Sequence, residues 1–446
     1  MHSRLPRAPR PVSDVAAAPL DPGSARVYPI VAAMLYILLA SFPIELPNRT
    51  FRWEVPTITA TLFLLTAFLQ PAACFGRQHV GLLWLLLYVF VFAASAVGHG
   101  WHNSLEVAQL FLFIVQALLV AWATFNLMQH DHIARKALWW FVAACVVRTI
   151  LPMLGIERSA LTEHSSGAER ITAFGQDANY SAMLLSAALL ISIGLTHGPA
   201  RSTLRSRLIA WSLALFFAMA IVNTGSRGGL FALVTGLLAF AFRPARTPLH
   251  RLRSALIVGV SMGVLGYVVM NSYVMRKRLE TTAQEGAMAG REVLFPVLWH
   301  MFLERPMVGW GPVNNQYEVV IRATDLKLRE EQYRKDTHNL FLELLTGTGL
   351  LGTVPFLLAL ALCARAAWRA RRGPYGVLPL ALMGVFLMAN LSLNQVAHKP
   401  FWVFLAFTMA CEAALARNGL RLRRARATAA PAPLPYWGRG TPQLGP

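Results

Sequence analysis

Apolar runs of about 17 to 25 residues recur along this 446-residue chain, and they constrain its fold more than any other feature. That length crosses roughly 30 Å of hydrocarbon as a helix. Twelve such runs lie near 27–46, 55–74, 79–98, 105–128, 137–155, 181–197, 208–223, 229–242, 254–274, 339–363, 376–396 and 400–416. Backbone polar groups cannot stay unpaired in lipid, and the runs show no period-two alternation, so helices are expected rather than barrel strands. Composition agrees: hydrophobic residues make up 56% of the chain and charged ones only 14%. A soluble domain carries nearly twice that charged share. The fold class expected is all-α, a polytopic integral membrane protein of about twelve transmembrane helices.

The net charge of +20 reads mostly as topology. With the N-terminus placed in the cytoplasm, alternate connections carry Arg4, Arg7, Arg10 and Arg26; Arg77; Arg135 and Lys136; Arg201, Arg205 and Arg207; Arg243, Arg246, Arg251 and Arg253; and Arg365, Arg369, Arg371 and Arg372. The tail from Arg417 to Arg426 ends the series, so both termini are expected in the cytoplasm. The opposite connections are poor in Lys and Arg, and GHGWHNS (98–104) has neither. One long connection, 275–338, holds ten basic and nine acidic residues, but long loops escape the rule. Basic residues dispersed in this way speak against a nucleic-acid partner.

The organisation expected is a disordered N-terminus (1–26), nine helices (27–274), a long loop (275–338), three helices (339–416) and a basic tail (417–446). No small-residue cleavage site follows the first run, so it reads as a retained helix. Cys74, Cys145, Cys363 and Cys411 fall in or beside apolar runs, without metal or disulfide spacing. Within the long loop, REVLFPVLWHMFLERP (291–306) sets Leu294, Leu298, Met301 and Phe302 at helical spacing, with Val297 between them. It predicts an amphipathic helix, ended by Pro306, at the membrane surface or on the bundle. A turn, MVGWGPVNN, follows, and QYEVVIRATDLKLREEQYRKD is a candidate for a second, more polar helix.

Four polar clusters share one side of this topology: ERITAFGQDANYS (169–181), NTGSRGG (223–229), GRE (290–292) and DTHN (336–339). Arg227 stands in a short turn among Gly225, Gly228 and Gly229, on the side that avoids arginine. A Gly-rich turn at a helix N-terminus suits anions, and a guanidinium suits phosphate; a snorkelling arginine with turn glycines fits too. Arg291 opens the loop helix, either as a solvated residue or as a ligand for an anion that offsets its unfavourable place there. The run MRKRLE (275–280) reads as an interfacial anchor. His338, between Asp336 and Asn339, stands where charged sequence gives way to an apolar helix. An anchor, a core residue and a proton acceptor all fit that place. Glu343 and Arg148, inside apolar runs, each need a partner or an aqueous cavity. For Arg148 this is a structural contact or a lipid head group. His398 is a candidate for the edge of the same cavity. No HxxxH, HExxH, DxD or Walker pattern occurs, so neither metal nor cofactor is expected.

Taken in order, NTGSRGGLFALVTG, GREVLFPVLWHMFLERPMVGWGPVNN and THNLFLELLTGTGLLG resemble the O-antigen ligase family. Its superfamily also includes O-antigen polymerases and bacterial protein O-oligosaccharyltransferases. FGQDANYSA, with Asn179, is family-like as well, and the likeness spans about 175–400. The resemblance implies a bundle of the kind seen in lipid-linked glycosyltransferases (GT-C-like), in the bacterial inner membrane, with a periplasmic active site. It implies an undecaprenyl-pyrophosphate-linked O-antigen as donor and lipid A–core as acceptor, with inversion at the anomeric carbon and no metal or nucleotide. Carried over by position, His338 would be the general base, and Arg227 and Arg291 would hold the pyrophosphate. Asn339, Asn179, Gln176, Ser226 and His398 would contact substrate. A polymerase or protein-directed transferase using the same donor is the nearest alternative. A transporter or flippase is the alternative of another class, for which repeats or interrupted helices are expected.

Overall fold

The computed structural model describes residues 27–44, 54–99, 104–156, 158–162, 169–174, 176–196, 203–244, 247–285, 290–323 and 334–428. The expected disordered N-terminus, most of GHGWHNS, the later part of the second loop helix (324–333) and the end of the tail (429–446) lie outside these residues.

All twelve apolar runs fall on helices: α1 (Pro29–Ser41), α2 (Val55–Phe68) with the short α3 (Pro71–Phe75), α4 (Val80–Gly98), α5 (Ser104–Leu127), α6 (Asp131–Met153), α7 (Ala178–Thr196), α8 (Leu204–Asn223), α9 (Arg227–Ala239), α10 (Pro248–Asn271), then α14 (Leu340–Ala370), α15 (Leu378–Ala389) and α16 (Lys399–Thr428). Among the described residues, eight helices are long and apolar enough to cross a membrane, and four shorter apolar ones accompany them. The chain is an all-α polytopic membrane protein with one small exception. In the 156–180 connection, β1 (Arg158–Thr162) and β2 (Glu169–Ala173) pair antiparallel, with Arg158 opposite Ala173.

The boundaries differ from the apolar runs where prolines and polar residues interrupt them. Run 55–74 breaks before Pro71, since the residue preceding a proline is pushed out of the helical region. Run 376–396 is helical only to Ala389, and residues 390–398 have no helical structure.

The axial element is α7, in which every residue but Asn179 is buried. Its Ala, Ser and Gly content lets neighbours approach closely. α6, α8, α9 and α15 pack around it. The fit against α9 is set by glycine: a Cβ on Gly229 would stand 2.2 Å from the Ala182 Cβ, and one on Gly236 would stand 2.4 Å from Leu190. α14 packs between α4 and α16, and α10 is peripheral.

The described part of the long connection is folded. α11 (Tyr273–Glu285), α12 (Arg291–Glu304) and α13 (Asn314–Arg322) follow one another. The amphipathic stripe is buried as its spacing predicts: Leu294, Leu298 and Met301 form a small core with Val319 and Ala323, and Phe302 is buried beside them. α12 and α13 both pack on α14. MRKRLE, expected as an interfacial anchor, lies inside α11, where Arg278 is only 5% exposed.

α14 is broken at Gly349 (φ 61°, ψ −162°), a conformation open to glycine. The loop after α12 meets the break with its own backbone. Leu350 N–H donates to Pro306 O (2.8 Å), Leu351 N–H to Met307 O (3.1 Å), and Trp310 N–H to Thr346 O (2.7 Å). Polar backbone freed inside an apolar helix is thereby satisfied by protein rather than left to lipid.

Candidate active site

α8 ends at Asn223, and Gly225 (φ 62°) reverses the chain before α9. The fully buried Ser226 caps α9: its hydroxyl accepts from Gly229 N–H (2.9 Å) and donates to Asn179 Oδ1 on α7 (2.6 Å). Arg227 is the first residue of α9, and its Nη1 donates to the Thr282 hydroxyl of α11. The glycines beside it, expected to admit a ligand, seat the turn in the bundle. A Cβ on Gly228 would lie 2.5 Å from Ser392 Oγ, just as Gly229 lies against α7.

Arg291 likewise opens its helix, after Gly290 (φ 81°) turns the chain. Its Nη2 donates to Ser392 O (3.1 Å). Ser392 thus touches both the Arg227 turn and the Arg291 guanidinium, which come from elements 64 residues apart in number (227 against 291).

His338 has a left-handed backbone (φ 49°), which costs a non-glycine residue roughly 1–2 kcal/mol. Its neighbours hold it there. Thr337 is fully buried and its hydroxyl donates to Asn339 O (3.2 Å). Asn339 caps α14, its Oδ1 accepting from Phe341 and Leu342 N–H (2.9 and 3.1 Å), while its Nδ2 donates to Leu391 O (3.2 Å). The imidazole is 37% exposed and places Nδ1 3.3 Å from Asp336 Oδ2. Asp336 Oδ1 accepts from Asn394 Nδ2 (3.3 Å).

Residues 390–398 are therefore the common support. Leu340 N–H donates to Asn390 O (3.0 Å), Asn339 reaches Leu391, Arg291 reaches Ser392, and Asn394 holds Asp336. The sequence reading missed this segment apart from His398. Its signal was present in NLSLNQVAHKP, whose asparagines and proline mark a loop, although the interspersed leucines keep the run apolar on average.

The remaining candidates sit around this framework. Gln176 is buried, 2% exposed, and donates to Pro43 O (3.1 Å) while accepting from Ser181 (3.4 Å). Asn179, Ser226 and Asn339 spend hydrogen bonds on the scaffold, as just described. Asp177, unremarked in the sequence, accepts from the Asn179 and Tyr180 amides (2.8 and 3.0 Å) and so caps α7. His398 packs against the Tyr180 ring (5.2 Å between centroids), and desolvation by burial lowers its pKa. Glu343 is buried and accepts from Gln316 Nε2 on α13 (3.1 Å), which ties the loop to α14.

Two arginines at two helix N-termini and a carboxylate-linked histidine thus rest on one segment; groups of these kinds are chemically able to hold an anion and to accept a proton. Residues 211–357 match the family described as O-antigen ligase. Over these residues the chain is similar to the O-antigen ligase family. The match supports a function of the O-antigen ligase or polymerase type, that of a membrane glycosyltransferase-like enzyme in lipopolysaccharide biosynthesis. The O-antigen ligase match runs from α8 into α14 and contains Arg227, Arg291 and His338. Ser392 and Asn394, on which those residues rest, lie beyond it. No curated protein matches the chain.

Proposed function

We propose that this protein is an O-antigen ligase. It passes the glycan of an undecaprenyl-pyrophosphate carrier to a sugar hydroxyl of lipid A–core, on the periplasmic face of the inner membrane. The observation that carries the reading is the meeting of the Arg227 turn, Arg291 and the Asp336–His338 pair along residues 392–394. Arg227 and Arg291 would bind the pyrophosphate, helped by the positive ends of α9 and α12, and would stabilise the charge that grows as it leaves. Asp336 at Nδ1 favours the tautomer protonated there, which leaves Nε2 to take the proton of the attacking hydroxyl. The carboxylate also steadies the imidazolium that forms. Displacement by that hydroxyl inverts the anomeric carbon.

The test is reconstituted transfer with purified protein, undecaprenyl-pyrophosphate glycan and lipid A–core, in EDTA and without nucleotide. Wild type shifts lipid A–core on a gel, and His338→Ala slows the shift by about 10²–10⁴-fold, the worth of a general base. Normal transfer by a correctly inserted His338→Ala protein refutes the role of His338. Lengthening of the donor lipid, without modified lipid A–core, makes the protein a polymerase on the same site.

The break in α14 is a feature that favours transport, since transporters use interrupted helices at their binding sites. Here the loop from Pro306 to Trp310 fills that break with backbone hydrogen bonds. That filling supports a structural role for the break and leaves the transferase reading preferred.

A further inference from the structure

A cavity of about 440 Å³, within the range of small-molecule sites, lies at the other end of the bundle. Its walls come from three places in the chain: the α5–α6 turn with His130, Asp131 and His132, the α14–α15 turn with Tyr375, and α16 with Arg417 and Asn418. Arg417 follows Lys399, at the start of α16, by 18 residues (417 against 399), about 27 Å of helix. The walls are fixed. Tyr375 donates its hydroxyl proton to Asp131 O (3.1 Å), and the Arg135 guanidinium lies over the Tyr375 ring (5.3 Å). Arg417 Nη2 donates to Gln129 O (3.3 Å), which anchors the guanidinium at the cavity wall. The polar groups are also open: Asp131, His132 and Asn418 are exposed, and His130 and Arg417 are half-buried.

The charge gathered here is positive. Arg77, from the α3–α4 turn, donates to Gln129 Oε1 (3.2 Å), one residue from His130. Burial, and then the positive charges of Arg417, His132 and Arg77, hold the His130 pKa below the ordinary histidine value. Among the described residues that line the cavity only Asp131 is acidic, and Arg135 Nε donates to its Oδ2 (2.8 Å). The positive-inside pattern accounts for basic residues in these connections. It does not account for side chains from separate connections converging on one cavity. Like charges brought together repel, and a bound anion offsets that cost. Guanidinium, imidazole N–H and the Asn418 amide are all donors, and the guanidinium fork suits phosphate. The membrane-spanning helices α5 and α6 meet at this turn, and basic pockets between such helices take anionic head groups.

We propose that this cavity binds an anionic phosphate group, with its oxygens on Arg417, His130 and His132 and with Asn418 at the rim. The same donors serve a phosphate on a lipid head group and one on a soluble compound. The site is separate from Arg227 and Arg291 and does not depend on the transfer reading. Its occupant would tie the α5–α6 turn to α16, adding to the bond between Arg417 and Gln129.

Native mass spectrometry of the full-length protein, titrated with phosphatidylglycerol, zwitterionic phosphatidylethanolamine or glycerol phosphate, tests it. Wild type is expected to retain phosphatidylglycerol over phosphatidylethanolamine. Arg417→Gln should weaken that retention about tenfold, and His132→Ala about threefold, as loss of charge-assisted hydrogen bonds requires. His132 is exposed, so His132→Ala should keep the wild-type melting temperature without ligand, and a folding defect in the Arg417 variant would not blur the result. If glycerol phosphate binds with the same dependence on Arg417 and His132 while phosphatidylglycerol shows no preference, the phosphate site stands and its source is soluble. If wild type prefers neither phosphatidylglycerol to phosphatidylethanolamine nor binds glycerol phosphate, or if both variants retain the wild-type preference, the proposal is overturned.

Discussion

At the scale of single residues, the division of labour around His338 makes a specific prediction. Asp336 touches the imidazole and not the proposed substrate, so Asp336→Asn should lower kcat about tenfold, leave KM nearly unchanged and alter the pH–rate profile, as expected for loss of a positioning partner. Asn394→Ala should follow it in milder form, because Asn394 holds the other carboxylate oxygen. The glycines of the Arg227 turn make a second prediction. Gly229→Ala sets a methyl against Ala182 at 2.2 Å, and overpacking of this kind costs about 1–3 kcal/mol, visible as a lower melting temperature. The sequence pointed to Arg227, Arg291 and His338 because a charge beside an apolar helix end is rare enough to be noticed. It did not tell ligand-facing polarity from scaffold polarity. Ser226, Asn339 and Gln176 look the same in one dimension whether they face a substrate or cap a helix, and in three dimensions their hydrogen bonds run to protein.

At the scale of elements, the broken α14 and the loop that meets it form one unit. Gly349→Ala would place a methyl 2.4 Å from Met307 C and demand a strained backbone. The loop should then be displaced, and hydrogen exchange at the Trp310 amide should rise by an order of magnitude or more. Over the Trp310 ring lie the guanidinium groups of Arg305 (4.0 Å) and Arg322 (4.4 Å), and Glu304 pairs with Arg322 at 2.6 Å. The hydrogen bond from Arg322 holds the Glu304 carboxyl below the usual range. The stabilisation it brings is therefore intact above the unfolded value near 4.3 and is lost as pH falls through the lower folded value. Fluorescence of a variant retaining Trp310 as sole tryptophan should stay constant from neutral pH to about 5 and change only below it. The helices themselves were legible because apolar length is a strong signal. The breaks were not, since TGTGLLG and NLSLNQVAHKP carry leucines that raise the mean hydropathy across a polar interruption.

At the scale of the whole molecule, the positive-inside pattern, rather than packing, predicts the orientation. The four cysteines are all buried, which leaves a quiet background for labelling. In cells whose inner membrane is intact, an impermeant maleimide should label Arg276→Cys on α11 but reach Arg372→Cys, beyond α14, only once that membrane is opened; both positions are exposed. The reverse pattern would turn the molecule over and move the proposed chemistry to the cytoplasm. The support at residues 390–398 also has a bearing on synthesis. A ribosome delivers Arg227, Arg291 and His338 well before Ser392 and Asn394, and the final helix follows after those. A partly inserted chain therefore holds these three residues without the segment that gathers them. Under the proposed function, competence would arrive with the last hairpin of helices, and an unfinished or truncated copy would be idle and leave its lipid-linked donor unspent.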